Sequence, residues 1–436
     1  MEATYAHHPA GGPGSPFDPP VLLRSSRDLL AAVPYLLGFR PRDCCVVVCV
    51  TDDGRVGLVA RTSLDELAGD GLDARTVARA AGRVATRLAL VVLYTDRPRE
   101  RVRSRADAVV GALDDVLHAV ADIEAWIVTP DGYRGLDCDD PSCCPPAGRP
   151  GAELEHGEVG AAFVVAGRAI ADSEQEAHRI RPAAAAVRDR AAKAASRADR
   201  ARAAARDATP DVPRDHGMPA TGPGTVPVPV GTWRAEAYGV WCDLVRQAAE
   251  ELRAFPAGEV MLPPARLGRL AAALADVPVR DAVLLSLVPG GREAADRTVG
   301  AGARGGADGS ADRGAGSASG EVEVATARAI SRVVDPRVGV PPDPATADAA
   351  RLVLEQLVAA APRRWHAPAL ALLAFLAWWR GDGWLAARRV RESARRDPSH
   401  RLAGLLAGVL EAAVPPGWVS AAGTGAEARV TEPRVG

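Results

Sequence analysis

The sequence predicts an α/β N-terminal domain, a mixed sheet with helices, followed by an all-α C-terminal domain of tetratricopeptide-like character. Three observations carry this. Strand-like apolar runs alternate with helical patterns as far as Val165. From Trp233 onward the apolar residues recur at three- and four-residue spacing instead. At 436 residues the chain is also too long for one core, so two domains with linkers are expected.

In chain order, residues 1–21 carry no patterned apolar run and are expected to be disordered. Structure begins at Leu22, with Ser25 or Ser26 as N-cap and Leu29, Leu30, Val33, Leu36 and Leu37 on one helical face. Pro34 inside that pattern predicts a kink or two short helices. Cys44 to Val50 is a continuous apolar run fit for a buried strand. Thr51-Asp52-Asp53-Gly54 turns it into a second strand, Val56 to Thr62. Two helix–strand pairs follow, ending in strands at Leu88–Tyr94 and Ala125–Val128, and the sheet is expected to end near Val165.

The α/β domain is thus placed at 22–170 and a charged connecting helix at 171–208. That helix is Ala/Arg-rich with little apolar stripe, and it is expected to be solvated. A Pro/Gly linker follows at 209–231. The helical domain occupies 232–418, with a disordered low-complexity insert at 290–321 and a loose tail at 419–436. Its most strongly patterned stretch is His366 to Pro416. Ala367 to Trp379 is apolar on every side, which marks a helix buried all round and too short to cross a bilayer. On the next helix Ala386, Val390 and Ala394 share a face, and Arg389 and Arg391 are expected to meet water.

Composition narrows the function classes. Asparagine is absent and Lys193 is the sole lysine, so nearly all 53 basic residues are arginine. With 43 glycines and 35 prolines this is a chain-wide compositional bias, and arginine richness is weak evidence for nucleic acid. The net charge of −2 agrees, since a dedicated DNA binder carries a basic excess. Arg188–Arg206 is the local exception, a basic surface from which only weak, salt-sensitive contact is expected. Seven cysteines do not read as a disulfide framework. No apolar run reaches membrane length, and a cytoplasmic location is expected.

The densest chemical constellation is Cys138 to Gly148, CDDPSCCPPAG. Cys138, Cys143 and Cys144 could hold a soft metal or exchange thiols. The spacing is not that of a zinc knuckle, and adjacent Cys143 and Cys144 are poorly placed to ligate one ion, so stoichiometric zinc is not expected. Reduced structural thiols are the plainer reading. Cys44, Cys45 and Cys49 read as packing residues of their strand, and Cys242 flanks the apolar face of its helix. Trp378, Trp379 and Trp384 surround the Gly381–Gly383 turn. They are either core or an aromatic anchor for a partner, the latter if two rings are exposed. His366 reads as a helix-start residue, since no second ligand accompanies it. Gly300, Gly302 and Gly305 spell a dinucleotide fingerprint, but no strand precedes them. No catalytic residue is assigned and no cofactor is expected.

LLRSSRDLLAAVPYLLGFRPRDCCVVVCV, PDGYRGLDCDDPSCCPPAG, APALALLAFLAWWRGDG and ARRDPSHRLAGLL, in that order, resemble an uncharacterised actinobacterial family, domain of unknown function 4192. The resemblance implies a cytoplasmic protein and no established activity. Cys44 stands where the family usually has serine, which argues against an essential hydroxyl there. Ala377 to Asp382, with Ala394 and Asp397-Pro398, is similar to a single tetratricopeptide unit. One unit implies helix packing without the peptide-binding superhelix. Taken together, the expected function is a non-catalytic scaffold or regulatory protein that binds an unidentified protein through its helical domain. The alternative is a thiol-dependent enzyme or metal/redox sensor centred on Cys138–Cys144.

Overall fold

Cys44–Thr51 is made of valine and cysteine with scarcely a polar side chain, and such a strand is stable only where both faces are covered. The computed structural model buries it accordingly, as the second of six strands. It describes residues 4–7, 23–51, 54, 56–68, 72–82, 86–117, 121–145, 147–166, 168–207, 228–255, 260–300, 315–412 and 414–418. The strands are β1 (Thr4–His7), β2 (Cys44–Thr51), β3 (Val56–Ser63), β4 (Thr86–Tyr94), β5 (Asp122–Thr129) and β6 (Gly132–Gly135). They lie in the order β1-β3-β2-β4-β5-β6. Every neighbouring pair is antiparallel except β4 and β5. The turn between β2 and β3 closes with the Gly54 amide donating to Thr51 O at 2.9 Å, and Gly54 takes φ +79°, which favours glycine.

Helices cover both faces of the sheet. On one, α1 (Ser26–Leu37) starts at Ser25, whose hydroxyl accepts from the Asp28 amide while the Asp28 carboxylate returns to the Ser25 amide. Pro34 lies inside this one helix, so of the expected kink or division into two short helices the division does not occur. On the other face lie α2 (Leu72–Ala81) and α3 (Arg99–Leu117), the crossover joining the parallel pair. Cys45, Val47, Val91, Leu93, Val109 and Leu113 fill the α2/α3 side; Val46, Val48, Val92, Leu30 and Val33 fill the α1 side. Burial pushes the Cys49 thiol up to about 12, so it is a packing residue at neutral pH.

The sheet ends at Gly135, earlier than expected. Two helices, α4 (Ala152–Glu155) and α5 (Glu158–Val165), occupy the segment assigned to it, because a short apolar run fits either structure and glycines bracket this one. At the N-terminus Thr4–His7 is not free chain but pairs with β3. A short helix, α6 (Glu174–Ala177), follows α5.

Beyond it every described element is helical: α7 (Ala185–Asp207), α8 (Val230–Ala254), α9 (Pro264–Ala273), α10 (Val277–Leu287), α11 (Arg292–Thr298), α12 (Ala315–Val334), α13 (Pro344–Ala360), α14 (His366–Trp379), α15 (Gly383–Arg396) and α16 (Arg401–Glu411). No helix is long and apolar enough to cross a membrane among the described residues. Helix α7 is not the solvated bridge the sequence suggests. It buries Ala191, Ala194, Ala195 and Ala205, because small side chains let a partner backbone approach without any bulky stripe. A Cβ at Gly268 of α9 would stand 2.1 Å from Ala191 O. Part of the segment assigned to a disordered insert is α11, with Ala294 and Ala295 buried. The expected linker lies outside the described residues up to 227, while Val230 and Gly231 at its end already belong to α8; the expected tail, like Gly302 and Gly305, lies outside the described residues.

Every residue from Trp365 to Trp379 is buried, as an all-apolar helix requires. The Ser393 hydroxyl donates to Ala367 O at 2.8 Å, tying the end of α15 to the start of α14 as an antiparallel pair. Arg389 does not meet water as expected. It is 3% exposed and paired with Glu392 at 2.6 Å, because Glu392 one turn on satisfies its charge.

Contacts divide the chain into two units, Met1–Arg179 with Ala377–Ala387 and Ala407–Gly436, and Ile180–Leu376 with Arg388–Leu406.

Candidate functional site: a three-thiol loop

Strand β6 leads directly into the cysteine loop, and its glycines are there for close approach. A Cβ on Gly135 would lie 3.0 Å from the Cys138 Cβ, and one on Gly132 only 2.2 Å from Arg149 O. Leu136 is fully buried in the sheet core and anchors the loop's first arm. Arg99 and Arg103 of α3 both donate to Leu136 O, and Arg103 also pairs with Asp137. At the far arm Tyr133 and Arg149 exchange backbone hydrogen bonds at 2.9 and 2.8 Å.

Between these arms the chain makes a tight turn. The Asp140 carboxylate accepts from the Ser142 amide at 2.8 Å and the Ser142 hydroxyl at 2.7 Å, which holds its pKa below the usual carboxylate value. The Cys143 and Cys144 amides both donate to Asp140 O, at 3.2 and 2.7 Å. The Arg149 guanidinium crosses the loop, donating to Cys143 O at 2.6 Å and Ser142 O at 3.3 Å.

The turn gathers the adjacent cysteines, which the sequence reading held to be poorly placed to share an ion, around one point with Cys138. The Cys143 and Cys144 sulfurs are 4.0 Å apart, and all three sulfurs lie within 4.8 Å of one another. Thiolates bound tetrahedrally at about 2.3 Å stand about 3.8 Å apart, so closing on a cation needs a shift of under about 1 Å. Burial is graded: Cys144 is buried, Cys138 half-buried and Cys143 exposed, which leaves an entry from solvent. The Gly135 amide donates to the Cys144 sulfur at 3.3 Å, an interaction that strengthens when the sulfur is a thiolate. Hydrogen bonding by the Cys144 and then the Cys138 thiol raises the Cys143 pKa, so without a cation this thiol holds its proton. No histidine or carboxylate among the described residues joins the cluster.

The tryptophans proposed as a partner anchor are inside. Trp378, Trp379 and Trp384 are 4%, 0% and 8% exposed. The Trp378 indole donates to Val414 O and the Trp418 indole to Trp379 O, both at 2.9 Å, while Trp384 packs on His178 and Phe39. They are packing residues, and the three form no exposed aromatic groove. His366 is likewise structural, with Nε2 donating to Ala361 O at 2.8 Å. The basic surface of α7 is partly spent internally, since Arg206 pairs at 2.9 Å with the fully buried Asp276.

Sequence reasoning found the three cysteines but missed Arg99, Arg103 and Arg149, which shape their loop. A glycine at each end of a strand-like GYRG was the available signal.

Neither a curated protein nor a solved structure matches the chain. The sequence profile of Domain of unknown function (DUF4192) matches residues 27–305 and 322–417, which take in the whole sheet beyond β1, the thiol loop and nearly every helix. The chain therefore belongs to the DUF4192 family.

Proposed function

We propose that this chain is a cytoplasmic regulatory protein whose Cys138–Cys144 loop takes a thiophilic metal ion. The observation that carries the reading is the convergence of three sulfurs within 4.8 Å on a loop braced at both arms by arginine. Soft thiolates select ions such as zinc or copper(I), and three of them leave one coordination position open. The seven cysteines are free thiols, the form that a reducing compartment maintains. The scaffold reading expected from the sequence named Trp378, Trp379 and Trp384 as a candidate contact, and their burial lends that surface no support.

Reconstitution of the reduced full-length chain with zinc tests this. Binding of about one ion per chain, lost in Cys138→Ser and in Cys144→Ser, is expected. Failure to retain zinc, or retention unchanged in both variants, would sink the proposal. Because binding displaces thiol protons, affinity should rise with pH across the neutral range, all the more for the raised Cys143.

A further inference from the structure

A second site lies at the opposite end of β5's partner strand from its helix entry, where the parallel pair terminates. Strands β4 and β5 run parallel, and both carboxyl ends, Tyr94–Asp96 and Val128–Pro130, open on one cleft of about 560 Å³. The loop entering the antiparallel β2, Arg40–Asp43, forms a third side, and α1 and α4 form the walls. In open sheets of this kind the carboxyl end of the parallel strands is where ligands bind, because the connections diverge there and leave a crevice.

Two features separate this cleft from a packing defect. The first is Asp43, the sole non-glycine residue with positive φ, at +46°, among the described residues. Aspartate enters the left-handed region more readily than most residues, and here it sets the turn of the loop that borders the cleft. Here the Thr95 hydroxyl donates to Asp43 Oδ1 at 3.2 Å and the Leu64 amide to Asp43 O at 3.1 Å. The second is the charge balance. Arg40 is paired with Glu155 at 2.5 Å, and Arg97, held chiefly by Asp65 at 2.8 Å, stands 3.7 Å from Asp43 with Asp96 also in its field. Arg42 lines the same cleft and has no carboxylate within ion-pair distance among the described residues. The lining also includes the apolar side chains of Leu30, Pro34, Leu154 and Ile170. Tyr94 also lines the cleft, and its buried hydroxyl has no hydrogen-bond partner among the described residues.

We propose that this cleft binds a small organic anion, its apolar body against Leu30, Pro34 and Leu154 and its charged group on the Arg42 guanidinium. The site is independent of the thiol loop and of any metal there. Such a mixture, an apolar wall with a few placed polar groups, is the usual make-up of a small-molecule site.

Two fluorescent probes with the same apolar body test it on the full-length chain. Anilinonaphthalene sulfonate carries the anionic group and N-phenyl-1-naphthylamine lacks it. Saturable binding of the sulfonate is expected, weakened roughly tenfold in Arg42→Gln by loss of the charge-assisted contact. The neutral probe should bind more weakly and be unaffected by that substitution. Ala152→Trp places a ring at the mouth from an exposed position of α4 and should reduce binding of both probes. Sulfonate binding unchanged in both variants, or no saturable binding in the unaltered chain, would overturn the proposal. An equal loss of both probes in Arg42→Gln would overturn the anionic assignment.

Discussion

Leu373 and Leu376 are 4% and 2% exposed on a helix that has no solvent face. Truncation of either to alanine removes contacts that cannot be replaced, so each should cost about 2–5 kcal/mol. Arg389 makes the complementary case, because it is buried by virtue of its charge partner rather than in spite of it. Arg389→Gln removes the buried guanidinium from one Glu392 oxygen, leaving Arg388 at 3.2 Å on the other, and should cost about 1–3 kcal/mol, readable by thermal melting beside the leucine variants. A melting curve unchanged in Arg389→Gln would show that the pair contributes nothing. At this scale the sequence was informative where a residue's own chemistry decides, as for the apolar run of α14. It misled where a partner decides: periodicity put Arg389 in water because it cannot register a carboxylate three residues on. The same holds for the thiol loop. Cysteine identity was visible, but the 4.0 Å approach of Cys143 and Cys144 depends on hydrogen bonds to Asp140 and on Arg149, which spacing does not reveal.

Helix α7 shows what an element can hide. Its alanines carry so little hydropathy that the pattern reads as solvated, yet Ala191, Ala194 and Ala195 are buried. The complementary signal, Gly268 in the middle of α9, is legible only once the two helices are known to touch. Its missing Cβ is what lets the Ala191 carbonyl come within 2.1 Å of that position. Gly268→Ala should therefore destabilise by about 1–3 kcal/mol despite alanine's better helix propensity, since backbone must move. Denaturant unfolding measures it, and a stabilised Gly268→Ala would mean that the two helices do not meet there. The apolar segment of α5 failed for another reason: a run of that length fits strand and helix alike, and only its glycine boundaries distinguish them.

For the whole molecule, the alternation of strand and helix was enough to predict the N-terminal mixed sheet and the helical remainder. It could not give strand order, so it could not show that β4 and β5 end together on a cleft or that β6 delivers the cysteines to the arginines of α3. The functional proposals both arise from that unreadable level, where segments distant in sequence meet. The thiol site is the stronger claim, because its three donors are already gathered. Its most direct test is X-ray absorption at the zinc edge of the reconstituted full-length chain. About three sulfur neighbours at about 2.3 Å, with one lighter atom completing the shell, are predicted. A shell of nitrogen and oxygen alone would contradict the account.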